Sequence, residues 1–224
     1  MIVLDYKNKY HHRIIASCIS ALKTGKVIAY PTDTSYGLAV DATNVKAIKR
    51  LYKIKGRGFN KPSSVVVPSA AYAKKNTRWN KVVDRLAKKF WPGMITLVLP
   101  LTSAPLLRGR GIKGEGAKIL TGKTGWIGLR MPKNKIALDL AKYLKKPITA
   151  TSANLAGRPD CYPAKDIIAQ FQNQKLKPDI IINTGKLSKR KPSTVVKIGG
   201  GRVEIIRQGP IAKQTIIKVL SAKR

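Results

Sequence analysis

Apolar residues along the chain follow two periods in alternation, a helical one near 3.6 and short uninterrupted runs of strand length. Ile14, Ile15, Cys18, Ile19 and Leu22 share one helical face that Gly25 terminates, and the run 27–30 reads as a buried strand entering Pro31-Thr32-Asp33-Thr34. Asn44 can cap a helix carrying Ala47, Ile48, Leu51 and Tyr52. Lys55-Gly56-Arg57-Gly58 breaks that pattern, and 64–67 forms the next strand. Val82, Val83, Leu86 and Phe90 predict a helix stopped at Trp91-Pro92-Gly93, and the β-branched run 95–99 predicts a central strand.

The second half repeats the scheme. A strand at 126–131, a helix at 136–144 and a strand at 148–151 lead into Ser152-Ala153-Asn154. A helix near 164–171, a strand at 180–182, a hairpin of 194–198 with 203–206 across Gly199-Gly200-Gly201, and a closing helix at 211–220 complete the chain. Residues 102–125 hold no period, and their glycines among Lys and Arg predict a mobile basic loop able to close over a ligand. No Pro- or Ser-rich linker interrupts the alternation, so residues 1–224 are expected to form a single α/β domain around one core.

Composition narrows the function. Lys plus Arg number 45 against 10 Asp plus Glu in 224 residues, a formal charge of +35 that attracts polyanions. The excess fits solvated lysine-rich faces as well as a nucleic-acid surface. Ten scattered acids argue against a carboxylate cage, so no metal site is expected and Mg2+ would arrive on substrate phosphates. His11 and His12 are adjacent, which disfavours a metal site or triad built on them. Cys18 lies on the apolar face of the first helix, and neither it nor Cys161 belongs to a C-x-x-C pair, as in a reduced compartment. No run reaches signal-peptide or membrane-spanning length, so the expectation is a soluble cytoplasmic protein without membrane attachment.

Ala117 to Thr124 fits a loose Walker A pattern, but a glycine-rich stretch precedes it and a strand follows, the reverse of a P-loop's strand and helix. The candidate chemistry lies elsewhere. Lys55 and Arg57, two apart past a helix end, offer a point charge and a planar fork that a turn could aim at one triphosphate, or could simply be solvated. Ser152 and Asn154 follow an apolar strand, where open α/β sheets place ligand loops, although a cap or turn would use the same residues. Thr32, Asp33 and Thr34 share that alternative, and Ser193 and Thr194 could be plain strand residues. Trp91-Pro92-Gly93 reads as a structural corner.

Taken in order, Y-P-T-D-T-x-Y-G-L, K-G-R, W-P-G-x-x-T-L-V-L, R-M-P, T-S-A-N-x-x-G, S-T-V-V and I-R-Q-G-P-I closely resemble the YrdC/TsaC family of threonylcarbamoyl-AMP synthases over roughly residues 10–212. The resemblance implies one twisted, open mixed sheet flanked by helices, with a basic concave groove, and a chain too short for the extra C-terminal domain of some members. It implies synthesis of L-threonylcarbamoyl-AMP and pyrophosphate from L-threonine, bicarbonate and ATP. The product would pass to a tRNA threonylcarbamoyltransferase complex, with direct RNA or tRNA binding a further expectation.

By motif position Lys55, Arg57, Ser152 and Asn154 would be catalytic and bind ATP with Lys61 and Arg207, while Thr32, Thr34, Arg130 and Ser193 would bind threonine. Three positions depart from the family pattern. Val66 replaces a histidine common near the threonine, and Gly58 a proline. Asp160 stands where relatives usually turn a hydroxyl to the nucleotide, and an acid there would repel phosphate unless it held a metal or turned away. The alternatives are an RNA-binding module using the groove without chemistry, and a relative with another carbamoyl acceptor.

Overall fold

The computed structural model describes residues 1–102 and 112–221. Ten strands form one mixed sheet in the order β1-β8-β2-β3-β7-β4-β6-β5-β9-β10. The strands are β1 (Ile2–Asp5), β2 (Ile28–Tyr30), β3 (Gly37–Ala39), β4 (Ser64–Val66), β5 (Ile95–Pro100), β6 (Trp126–Arg130), β7 (Ile148–Ser152), β8 (Ile180–Asn183), β9 (Thr194–Gly199) and β10 (Arg202–Arg207). The helices are α1 (His11–Lys23), α2 (Val45–Lys55), α3 (Ala70–Asn76), α4 (Lys81–Phe90), α5 (Gly114–Leu120), α6 (Lys135–Leu144), α7 (Ala164–Phe171) and α8 (Lys213–Ser221).

Each helix-forming pattern corresponds to a helix, Asn44 caps α2 as expected, and two asparagines without a sequence-based assignment cap α4 and α6. Asn44, Asn80 and Asn134 accept from the backbone N–H three residues on, at Ala47, Val83 and Ala137. Apolar stripes then divide between the two sheet faces. Cys18, Leu22, Leu140 and Ala141 of α1 and α6 pack with Ile28, Val66 and Ile148 on one face. Leu51, Leu86, Ile119, Ile167 and Ile216, from α2, α4, α5, α7 and α8, pack with Val65, Leu97, Leu129 and Val196 on the other.

The loop expected at 102–125 is corrected in part. Residues 114–120 form α5, despite two glycines, because Ile119 and Leu120 enter the core and Gly116 lets the helix approach α2, where an added Cβ would meet Ile48 at 3.2 Å. Residues 103–111 of that expected loop lie outside the described residues. The Walker-like stretch runs from α5 into β6, without the strand-to-helix turn of a P-loop. The strand expected to be central, β5, is interior but off-centre, between β6 and β9.

Strand alternation positions the site. Val66 and Ile148, opposite each other on β4 and β7, lie beneath α1 and α6. Two residues along, the pair Ser64 and Ala150 continues the same face into an open cavity.

Candidate active site

The cavity, of about 280 Å3, is floored by Tyr30, Ser64, Thr96, Ala150 and Val195 and ringed by Arg57, Arg130 and Arg207. Its walls come from the segments singled out by motif. Thr32, Thr34, Arg57, Arg130, Ser152, Ser193 and Arg207 all line it. Lys55, Lys61 and Asn154 do not.

Sheet pairing explains the convergence. Gly37 of β3 faces Ser152 of β7, Tyr36 N–H donates to the Cys161 carbonyl (3.0 Å), and Ala153 N–H donates to the Tyr36 carbonyl (2.8 Å). The T-D-T turn is therefore held against the S-A-N loop. Within that turn Thr32 Oγ1 donates to the Ser35 carbonyl (2.7 Å) and accepts from Thr34 N–H (3.1 Å), so its hydroxyl shapes the backbone and sits 3.1 Å from Thr34 Oγ1.

Lys55 is 2 % exposed, and its ammonium donates to the Ser152 carbonyl (2.6 Å), the Asn154 carbonyl (2.8 Å) and Asn154 Oδ1 (3.0 Å). Those three bonds use the ammonium's full donor capacity. Gly56 in the left-handed region, φ 61°, caps α2 and turns the chain, so Lys55 points into the S-A-N loop while Arg57 faces the cavity. The expected convergence of both cations on one anion is corrected: Lys55 braces the loop, and Ser152 Oγ donates to Asn154 Oδ1 (2.6 Å) over it. Burial, and then the Arg57 charge, lower the Lys55 pKa to about 8, with Asp160 and Cys161 opposing. Arg57 itself rests on the Pro62 carbonyl (2.7 Å). Lys61 is exposed and contributes its carbonyl, an acceptor for Tyr52 Oη at 3.0 Å.

Arg130 is 9 % exposed and is oriented by Asp33, whose Oδ1 accepts from Nη2 at 2.7 Å and whose Oδ2 accepts from Lys133 N–H at 3.0 Å. Its buried Nε has no hydrogen-bond partner among the described residues, nor has the buried Ser63 Oγ on the same cavity wall. Orphaned buried donors are costly unless a ligand meets them. Arg207 donates from Nε (3.1 Å) and Nη2 (2.9 Å) to the Ser193 carbonyl, and Ser193 Oγ lies 2.8 Å from Thr96 Oγ1. Gly209 permits this closeness, since a Cβ there would lie 2.3 Å from the Pro192 carbonyl.

Asp160 does not turn away from the cavity. It lines the cavity and accepts from Ser35 Oγ at 3.4 Å. Val66 is buried under α1 and α6, off the cavity wall. Asp33, Ser63 and Thr96 were given no role on sequence grounds; Asp33 and Thr96 stood inside quoted motifs, and for Ser63 no local signal existed. Burial pushes the Cys18 and Cys161 thiols up to about 12, which disfavours the thiolate form of both. Trp91-Pro92 is a cis peptide at the expected corner, tied by Gly93 N–H to the Met131 carbonyl (2.8 Å).

Three arginines and several hydroxyls around one cavity over an open mixed sheet define a ligand-binding α/β protein suited to a small anionic molecule. The sequence profile of the Sua5/YciO/YrdC family, described as "Telomere recombination", matches residues 20–209. The chain belongs to that family. The threonylcarbamoyl-AMP synthase of Pyrococcus abyssi is 28% identical over 100% of this chain, which spans 62% of that protein's length. A putative threonylcarbamoyl-AMP synthase of Methanocaldococcus jannaschii is 32% identical, with 96% of this chain and 95% of that protein covered. The crystal structure of P. abyssi Sua5 complexed with L-threonine superposes with a TM-score of 0.86 at 28% identity, over 99% of this chain and 61% of that one.

Proposed function

We propose that the protein is a threonylcarbamoyl-AMP synthase that condenses L-threonine, bicarbonate and ATP into L-threonylcarbamoyl-AMP and pyrophosphate. The observation that carries the reading is Arg130, which lines the cavity with its guanidinium oriented by Asp33 through Nη2. A carboxylate is its natural partner, through paired charge-assisted hydrogen bonds. The names of the relatives above and the L-threonine in the Sua5 complex support that choice.

In this reading the threonine carboxylate meets Arg130, with Thr34 and Ser193 beside it and Thr32 shaping the turn. The amine adds to the carbon of bicarbonate and water departs, leaving a carbamate. A carbamate oxygen then attacks the α-phosphorus of ATP in line as pyrophosphate leaves. Arg57 and Arg207 stabilise the phosphate charge, Ser152 meets the nucleotide at the reacting centre, and Lys55 with Asn154 holds Ser152 in place. A nucleotide contact by Lys61 rests on motif position alone. The cavity lining offers a single carboxylate, which does not fit a protein-built magnesium cage, so Mg2+ comes with the ATP phosphates as part of the substrate.

We assign the same reading to a single cytoplasmic domain that hands its product to a tRNA threonylcarbamoyltransferase complex. No helix among the described residues is long and apolar enough to cross a membrane. The +35 charge favours a second reading, an RNA-binding module without chemistry. Pyrophosphate release separates them: the synthase releases it from ATP only with threonine and bicarbonate together, whereas the module releases none.

A further inference from the structure

Thr96 is the one polar side chain of β5, buried in the run Ile95–Pro100. A valine would suit that strand equally, being β-branched and apolar, so the buried hydroxyl is a cost that something must offset. Its hydrogen-bond partner among the described residues is Ser193 Oγ, at 2.8 Å. The γ-methyl lies against Gly128 of β6, where an added Cβ would meet Thr96 Cγ2 at 3.2 Å. Packing of that methyl restrains the rotamer that aims the hydroxyl at Ser193.

The protons around this pair do not all find acceptors. Ser193 Oγ also accepts from Arg207 Nη2 at 3.2 Å, and a guanidinium only donates. Two hydroxyls hold two protons, and the single bond between them uses one. The other has no acceptor among the described residues, although both side chains line the cavity. When Thr96 is the donor, Arg207 and Thr96 together fill both lone pairs of Ser193 Oγ, and the Ser193 proton is left to face the cavity. Accepting from a cation polarises that O–H and strengthens it as a donor.

We infer that Thr96 is a positioning residue of the reaction: it donates to Ser193 and thereby commits the Ser193 hydroxyl to donating into the cavity, toward an oxygen acceptor of the kind that carboxylate, carbamate and phosphate all present. This rests on the synthase reading above, in which Ser193 meets the ligand. The reverse bond, from Ser193 to Thr96, would make Thr96 itself the donor to the ligand. The two arrangements part in a double-mutant comparison, because a residue that acts only through Ser193 has nothing left to do once the Ser193 hydroxyl is gone.

Steady-state pyrophosphate release by the whole chain with L-threonine, bicarbonate and Mg·ATP tests this in wild type, Thr96→Val, Thr96→Ser, Ser193→Ala and the variant carrying both Thr96→Val and Ser193→Ala. Thr96→Val keeps the shape of the strand residue and removes the hydroxyl, so the melting midpoint should hold while kcat/KM for threonine falls about three- to tenfold, as for one lost hydrogen bond. Thr96→Ser keeps the hydroxyl and should stay within about twofold of wild type. Ser193→Ala should lose more than Thr96→Val, and adding Thr96→Val to it should cost nothing further. An unchanged kcat/KM in Thr96→Val, a loss there as large as in Ser193→Ala, a further loss in the double variant, or a Thr96→Ser as impaired as Thr96→Val would each overturn the inference. No pyrophosphate release by wild type with all three substrates present would instead sink the synthase reading, and this inference with it.

Discussion

Lys55 shows how a single buried cation can serve a site it does not line. Its ammonium closes three acceptors of the S-A-N loop, so Lys55→Met leaves those acceptors without a donor and should destabilise the fold by at least about 1–3 kcal/mol in chemical denaturation. The pH dependence follows from its pKa, lowered from the ordinary 10.5 to about 8 by burial first and Arg57 second. Below about 8 the group is charged and the brace complete. As pH rises through about 8 the proton leaves and kcat/KM for ATP should fall, a limb absent from a profile controlled only by unperturbed lysines. Stability moves the other way. Between about 8 and 10.5 the unfolded chain holds the proton that the folded chain has released, so this group adds stability as pH rises across that window. At the opposite wall, Arg130→Lys keeps the charge but loses the fork fixed by Asp33. It should raise KM for threonine about ten- to a hundredfold with a much smaller change for ATP, measured in steady-state pyrophosphate release.

At the scale of elements, the cavity depends on how β9, β10 and the following turn are knitted together. Gly209 N–H donates to Thr194 Oγ1 at 3.0 Å, and its α-carbon lies so near Pro192 and Thr194 that a Cβ has no room. Gly209→Ala should therefore cost about 1–3 kcal/mol of stability and, by shifting Ser193 and Arg207 together, depress kcat/KM for both substrates. The same element scale shows what the sequence made legible. Strongly periodic helices such as α1, α2, α4 and α6 and apolar strands such as β5 and β7 announced themselves because burial wrote their pattern. Three short elements did not. β1 is an exposed edge of four residues, β3 is the tripeptide Gly37-Leu38-Ala39 defined only by its neighbours, and α3 has one buried residue, Ala73. α5 hid behind its two glycines, of which Gly116 serves close packing on α2.

The site divides along the same line. Arg57, Arg130, Ser152, Ser193 and Arg207 were legible from ordered motifs, and all five line the cavity. Lys55 and Asn154 were legible as important yet not as braces, since which donors a side chain spends on the protein is decided by a loop far away in sequence. Ser63 and the inward turn of Asp160 depend on β4–β7 pairing and on the Ser35 contact, neither of which has a local signature.

Over the whole molecule, one sheet runs from β1 at one edge to β10 at the other, and the first pairs with β8 near the far end of the chain. Such long-range pairing predicts one cooperative unfolding transition, with fluorescence of Trp79, Trp91 and Trp126 and far-UV dichroism melting together. The +35 charge belongs to this scale as well. RNA affinity should fall by orders of magnitude over a few-fold rise in salt, and should be equally steep in Arg130→Lys, because surface charge and the cavity are separate properties. The central claim is that this cavity joins an amino acid, bicarbonate and ATP. Its most direct measurement is pyrophosphate release by the purified chain with ATP while L-threonine and bicarbonate are supplied singly and together, with mass analysis of the nucleotide product. Release only with both, and a threonylcarbamoyl adenylate in the product, is the predicted result; release indifferent to threonine, or none at all, would contradict it.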